Sequence, residues 1–306
     1  MTLREAIKGT GCAAAGFAAV EAIDSSADSS YRAWLSEGCH AGMDYLERHA
    51  VLRCHPESVM PGVRTVISLA FRIYKPHRGS LPVAAYALGR DYHKALKSRL
   101  RPLCAFLERE YGARTRICVD SAPLPERYWA IKAGIASPGR NGAALVPGCG
   151  PYAFLCEVLT DVGLMSEGVE ELMSGGVDVC LGCDACIRAC PTGALRHDGT
   201  VDGRLCLSYL SIEHKGDLPE DIPLREGVRF PLLGCDRCLA ACPLSEKEPL
   251  APVIPDLMPR EEIVSLTSEK LLAMDDAEID ALTAGTALRR AGTEGLRRNA
   301  RRALGK

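Results

Sequence analysis

Eight cysteines packed between positions 180 and 242 carry the plainest chemistry in this sequence. The first run reads Cys180-Leu-Gly-Cys183-Asp-Ala-Cys186-Ile-Arg-Ala-Cys190-Pro191, or C-x2-C-x2-C-x3-C-P. Three thiolates on one tight loop can cap three corners of a 4Fe-4S cubane. The fourth, a helical turn further on, points away toward a second cluster. Pro191 then stops the helix. A shorter run, Cys235-Asp-Arg-Cys238-Leu-Ala-Ala-Cys242-Pro243, has the same ending, and Cys206 stands alone between the two. The eight thiolates suffice for two clusters. With the last cysteine of each run crossing over, cluster one takes Cys180, Cys183, Cys186 and Cys242, and cluster two takes Cys190, Cys206, Cys235 and Cys238. Structural zinc on C-x2-C pairs is the competing reading. It explains neither the C-x2-C-x2-C run nor the two Cys-Pro ends.

A second candidate is Asp120, in the loop Asp120-Ser-Ala-Pro123-Leu-Pro125-Glu126-Arg127. An acid just past a strand end, in a loop stiffened by two prolines, stands where α/β proteins build sites. The plainer alternative is an Asp that caps the next helix.

The elements that must position these residues can be read from periodicity. Residues 63–70 and 114–119 read as strands. Residues 93–111 between them read as a helix, with Ala95, Leu96, Leu100, Leu103, Phe106 and Leu107 on one apolar face. Pro102 inside it predicts a kink. Strands alternating with helices indicate an α/β domain. Before them, the short apolar run from Cys12 to Val20 follows Arg4, Glu5 and Lys8. It reads as a helix leading into a buried strand rather than an export signal, which would lack the acid and run longer.

Composition bounds the rest. The chain has 306 residues, 47% hydrophobic and 25% charged, with a formal net charge of -2. That length buries a core without disulfide staples. The charge argues against coating nucleic acid through bulk electrostatics. No stretch approaches the ~20 apolar residues of a membrane span. A cytoplasmic protein is expected, where thiols stay reduced and cysteine clusters hold metal. The other seven cysteines, Cys12, Cys39, Cys54, Cys104, Cys118, Cys149 and Cys156, read as small buried hydrophobes. The turn Ser174-Gly175-Gly176 suggests a boundary. The expected units are an α/β domain over 1–176, a two-cluster unit over 177–250 and a helical, basic tail over 251–306. Because the cluster unit needs so little chain, the clusters must reduce something held by the first 176 residues. Neither a G-x-x-x-x-G-K-[ST] loop nor G-x-G-x-x-G is present. Asp91-Tyr92-His93 begins like the D-x-H of one cobalamin-binding class, but Leu96 stands where its glycine should be.

Several stretches together resemble one family. They are His40-Ala-Gly-Met43-Asp-Tyr45, Pro61-Gly62-Val-Arg64, Tyr86-Ala-Leu-Gly-Arg90-Asp91-Tyr92-His93, Val119-Asp120-Ser121-Ala122-Pro123, Lys132-Ala-Gly134 and Cys206-Leu-Ser-Tyr209-Leu-Ser-Ile212-Glu213-His214-Lys215-Gly216, with both cysteine runs and the C-terminal Gly285 to Ala300. In order, over nearly the whole chain, they are similar to the epoxyqueuosine reductases. The resemblance implies a nitroreductase-like α/β domain that holds cobalamin with its base displaced, next to a ferredoxin-like two-cluster domain. It also implies a tRNA carrying epoxyqueuosine as substrate, and an aspartate, matched here by Asp120, that gives a proton as the epoxide oxygen leaves. A loop carboxyl beside a corrin face should have a raised pKa. Arg127 matches a corrin-contacting arginine. Met43, Tyr86, His93, Gly139 and Asn141 fall in stretches that resemble corrin-contacting segments. An electron donor of flavodoxin or ferredoxin type and a monomeric enzyme complete the expectation.

Departures from the family pattern bear on the substrate. Ser137-Pro138-Gly139-Arg140-Asn141 lacks a usual tryptophan, Pro243-Leu244-Ser245 replaces Pro-Trp-Asn, and Cys156 replaces a common glycine. A corrinoid reductase of a small molecule and a non-catalytic electron carrier are the rival readings. From Ala287 onward, seven basic residues face the single acid Glu294. Such a patch suits a tRNA arm, or simply a solvated helix face at a frayed end.

Overall fold

The segment Thr65-Val-Ile-Ser-Leu-Ala-Phe-Arg72 is apolar at nearly every position, so its strand must be covered on both faces. The computed structural model describes residues 1–76, 82–164, 179–246 and 252–305. In it the strands are β1 (Ala14–Ala19), β2 (Thr65–Arg72), β3 (Thr115–Cys118), β4 (Ser137–Pro138), β5 (Ala144–Leu145) and β6 (Ala153–Thr160). The main sheet runs β1-β2-β6-β3, with antiparallel neighbours throughout. The two strands expected from the sequence are present, with ends shifted by one or two residues. The mixed α/β class holds, but the order is that of an α+β sheet.

The helices in chain order are α1 (Leu3–Lys8), α2 (Ser25–Ser36), α3 (Asp44–Arg48), α4 (Ala50–Cys54), α5 (Pro56–Val59), α6 (Tyr92–Tyr111) and α7 (Glu126–Lys132). Then come α8 (Ala185–Ala189), α9 (Leu207–Ile212), α10 (Arg237–Ala240), α11 (Glu261–Val264), α12 (Ser268–Ala273), α13 (Asp276–Thr283) and α14 (Gly292–Ala303). Alternation along β2 divides the core. Ile67, Leu69 and Phe71 meet the apolar stripe of α6, including Leu96, Leu100, Leu103 and Leu107, all fully buried. Val66, with Leu159 and Cys118, meets Trp129 of α7 on the other face. Each such side chain contributes ~1.5–3 kcal/mol on burial. Helix α6 is capped by Asp91 at its start and by left-handed Gly112 at its end. It runs as one element through Pro102. Gly16 is required on β1: a Cβ there would stand 2.2 Å from the Ala133 carbonyl oxygen, where the end of α7 presses on the sheet.

The cluster-bearing segment has little regular structure and leans on its neighbours. Val83 forms a parallel bridge with Leu233. Ala84 N donates to Leu233 O at 2.8 Å, and Leu232 N donates to Pro82 O at 2.7 Å. The C-terminal helices return to the same core, where Leu288, Leu296 and Ala300 join the α6 face. Both expected unit boundaries, and the Ser174-Gly175-Gly176 turn, lie outside the described residues.

The basic tail is docked, not frayed. Arg298 donates to the carbonyls of Leu210, His214 and Gly216 at 2.8–2.9 Å. Arg290 pairs with Glu213, Arg297 with Asp276, and Arg302 reaches the Glu220 carbonyl. Guanidinium groups engaged this way are less free for phosphate than the sequence pattern suggests. Buried Asn299 donates its amide to Ser211 O and Leu232 O, both at 2.8 Å. Asn299→Ala should leave two buried carbonyls without these donors and cost about 2–4 kcal/mol. Denaturant unfolding checks this, and a change below ~0.5 kcal/mol would place Asn299 among ordinary surface positions.

Candidate functional site

Where β3 ends, the chain turns at Asp120 with φ 55°, one of three described non-glycine residues in the left-handed region. The aspartate is held from two helices. From the first turn of α6, Tyr92 donates its hydroxyl to Asp120 Oδ2 at 2.6 Å, and His93 Nε2 lies 3.2 Å from the same oxygen. From the first residue of α7, the Glu126 carboxyl accepts the Asp120 backbone N–H. Asp120 does not cap α7, whose N-cap is Pro125.

His93 stands between two acids, with Nδ1 2.8 Å from Asp91 Oδ1 and Nε2 toward Asp120. A neutral imidazole can donate to only one of them, whereas the imidazolium satisfies both. The bond to Asp120, with that to Asp91 in support, therefore pulls the His93 pKa up against burial. The same bond is the largest cause that lowers the Asp120 pKa. Burial opposes it, and the Tyr92 hydroxyl adds to the lowering. The raised carboxyl expected at this position is thus corrected, because the imidazole outweighs desolvation. The raised carboxyl is Glu126 instead, pushed up by burial to about 8.

The surroundings are concave. Asp120's side chain is 61% exposed, and Arg127 is exposed as well, yet both feel desolvation by the protein around them. Groups that water reaches while protein surrounds them line a cleft. Arg127 donates to the Gly142 carbonyl. Arg53 lies in the same charged neighbourhood as Glu126 and Arg127, and its buried Nε has no partner. On another side, Arg290 grips Glu213 through two bonds of 2.7 and 2.8 Å, within electrostatic reach of Tyr45 and Asp120. Sequence reading missed Glu126, Arg53 and the Arg290–Glu213 pair as members of this site. For Glu126 the signal was its place beside Arg127, at the start of the helix after the Asp120 loop.

The cysteines gather in two groups. Cys180, Cys183, Cys186 and Cys242 line one small cavity, shared with Gly139, Arg140 and Asn141. These are the four cysteines expected to hold cluster one. Arg140 pairs with Asp184, between Cys183 and Ala185, which ties that loop to the cysteine run. Asn141 is buried and accepts the Ala143 N–H. A Cβ at Gly139 would stand 2.6 Å from the same Asn141 oxygen and 3.0 Å from the Ala143 carbonyl oxygen, so a side chain there would displace Asn141. Gly139 and Asn141, read from the sequence as corrin neighbours, are thus placed with the first cysteine group. In the second group, Cys238 has Cys235, Cys206 and Cys190 as charged neighbours. All eight thiols are free of disulfides. Met43 sits near Gly203, three residues before Cys206.

A line of contacts joins the second group to Asp120. Asp236, next to Cys235, accepts the Ala85 N–H at 2.6 Å. A Cβ at Gly234 would stand 3.2 Å from the Tyr86 ring. Tyr86 meets Tyr92 edge-on at 6.0 Å, and Tyr92 bonds Asp120. Of the seven other cysteines, five are buried; Cys12 and Cys104 are partly exposed.

Comparison with known proteins places this geometry. Residues 53–121 match the family model described as epoxyqueuosine reductase QueG, DUF1730, and residues 179–245 match a 4Fe-4S double cluster binding domain. An epoxyqueuosine reductase of Gloeobacter violaceus is 35% identical over 299 residues, covering 95% of this chain and 91% of its own. One from Escherichia coli is 36% identical, covering 92% and 74%. A crystal structure of an epoxyqueuosine reductase with an epoxyqueuosine-modified tRNA-Tyr stem loop superposes with a TM-score of 0.83 at 26% identity, covering 99% of this chain and 80% of that one. The Bacillus subtilis enzyme, solved with its catalytic aspartate loop swung out of the active site, gives a TM-score of 0.80, at 26% identity and the same coverage. With relatives this similar along almost all of its length, the chain belongs to the epoxyqueuosine reductase family.

Proposed function

We propose that the chain reduces the epoxide of epoxyqueuosine in tRNA, with Asp120 and His93 managing the proton at the departing oxygen. The observation that carries this reading is the Tyr92–Asp120–His93 cluster, set in a cleft and joined by contacts to one group of four cysteines. Removing an epoxide oxygen as water takes two electrons and two protons. Two 4Fe-4S clusters on the eight cysteines supply a route for the electrons. Cobalamin, the cofactor of this family, would supply the two-electron reducing power for the ring when bound. The cleft suits such a group. Arg53 has an unpartnered buried Nε, Arg127 is desolvated without a carboxylate bonded to it, and Tyr86 and His93 line the approach from the cysteines. These four residues would hold it.

The proton work falls to the chain itself. Asp120 at rest is ionised and hydrogen-bonded, so alone it has no proton to give. The imidazolium of His93 holds one at bonding distance and can pass it to Asp120, which gives it to the departing oxygen, while the second proton comes from solvent. Tyr92 keeps its proton, since burial and the Asp120 charge push its pKa up. It therefore fixes the carboxylate as a permanent donor.

The tRNA reading rests on the relative solved with its stem loop. Arg290 lies within electrostatic reach of Asp120, and its partner Glu213 belongs to the Ser208–Lys215 segment, which would meet the anticodon arm. We place the enzyme in the cytoplasm, as a monomer fed by a flavodoxin- or ferredoxin-type donor. None of the described helices is long and apolar enough to cross a membrane.

Three outcomes are expected. Asp120→Asn should lower turnover by ~10²-fold or more while retaining clusters and cobalamin. The assay is nucleoside mass spectrometry of tRNA from cells lacking the reductase; unchanged turnover would remove Asp120 from the chemistry. Next, His93 should titrate above its usual 6.5 by histidine NMR and fall back in Asp120→Asn. The sign follows from linkage: a raised imidazole pKa adds stability that is whole below about pH 6.5 and fades as pH rises through the raised value. Lastly, Cys206→Ala should lose about half of the iron and of the broad visible absorbance in an anaerobic preparation. Zinc in place of iron in the parent protein would overturn the cluster assignment.

A further inference from the structure

Asp120 points into the cleft from a backbone that side chains rarely adopt, φ 55°. Something must hold it there. Its bond to His93 is the one the proton chemistry disturbs, and Tyr92 holds only the carboxylate end, so neither anchors the backbone. The backbone of the loop between Asp120 and α7 closes on itself, while Lys97 of α6 donates to Ser121 Oγ at 3.2 Å and Leu124 is buried in the core. Ser121 N donates to Val119 O, Leu124 N to Ala122 O and Glu126 N to Leu124 O, each across two residues. The bond that spans the whole loop is the Asp120 backbone N–H to the Glu126 carboxyl. Glu126 in turn stands on a fixed base. Helix α7 is nailed to the sheet by Trp129 and Ala130, exposed by 1% and 0%.

We infer that Glu126 is a latch: a positioning residue that holds the Asp120 backbone, and through it the carboxylate, in the working conformation. The inference rests on the reading of Asp120 as the residue that handles the proton. The latch needs an acceptor oxygen at that reach, not a charge. Burial keeps much of Glu126 neutral near pH 7, its pKa raised to about 8, and a neutral carboxyl still accepts through its carbonyl oxygen. An amide of the same length should therefore replace it.

The test compares Glu126→Ala with Glu126→Gln by two readouts. Amide hydrogen exchange of the peptide covering residues 119–125 needs neither cobalamin nor tRNA. It should quicken at least tenfold in Glu126→Ala and stay near the parent in Glu126→Gln, with α6 and the sheet unchanged. Turnover should fall at least tenfold in Glu126→Ala at an unchanged KM for the tRNA, and recover to within about twofold in Glu126→Gln. Parent-like exchange in Glu126→Ala would overturn the latch. So would Glu126→Gln as impaired as Glu126→Ala, or exchange raised across the sheet as well. If even the parent leaves epoxyqueuosine untouched, the functional reading fails while the exchange arm still decides the latch.

Discussion

One contact organises the catalytic half of this molecule: the first turn of α6 packed against the end of β3. It brings Tyr92 and His93 to the same oxygen of Asp120, 2.6 and 3.2 Å away. A carboxylate with that company is a poor acid alone, because every bond it accepts favours its charged form. On the proposed reading it serves as the outer member of a pair whose proton sits on the imidazole. Asp91 completes the arrangement. By capping α6 and bonding His93 Nδ1, it orients the ring and favours the imidazolium. The helix start is thus a structural cap and a proton store at once.

The second constraint is the seam between the cysteine segment and the sheet. The segment has short helices and few ladders, so its own hydrogen bonds do not fix its place. Its position is set by the Val83–Leu233 bridge, the Asp236–Ala85 bond and the close approach of Gly234 to Tyr86. Asn299 and Arg298 add a clamp from α14 by satisfying carbonyls of the segment's own turns. Residues from the chain's far end therefore determine how the cysteines face the cleft. The docked arginines show why a basic run is weak evidence of a phosphate site: a guanidinium bonded to buried carbonyls is structural.

Much of this was legible in the sequence. The cysteine runs are local spacing, so the expected ligand grouping can be read from them directly. The apolar face of α6 and the strand after Pro61 follow from periodicity. Asp120 stood out by its place after a strand. What stayed illegible depends on contacts between distant residues. The antiparallel order β1-β2-β6-β3 cannot be read from alternation alone, since a strand covered on both faces looks alike in either direction. The ionisation of Asp120 depends on His93, 27 positions earlier. The neighbours of Gly139 and Asn141 depend on how one loop meets the first cysteine run. Of the docked basic tail, nothing local in the sequence distinguishes Arg298 from a solvated arginine.

The placement of the cysteines also orders the electron route on the proposed ligand sets. Cys180 and Cys183 of the first group are exposed, its Cys186 and Cys242 are partly covered, and all four of Cys190, Cys206, Cys235 and Cys238 are partly covered. The covered group is the one linked through Gly234 and Tyr86 to Tyr92 and Asp120. A donor protein can approach only what lies at the surface, and the epoxide can be reduced only where the proton pair stands. On the proposed reading, electrons enter at the first group, through its exposed Cys180 and Cys183, and leave from the second. The crossed ligands Cys190 and Cys242 make each short cysteine run part of both clusters. A shift that moved one run away from the cleft would pull on both clusters together. Proton and electron delivery are therefore held in register by the same seam: Tyr86 packs on the cysteine loop on one side and on Tyr92 on the other.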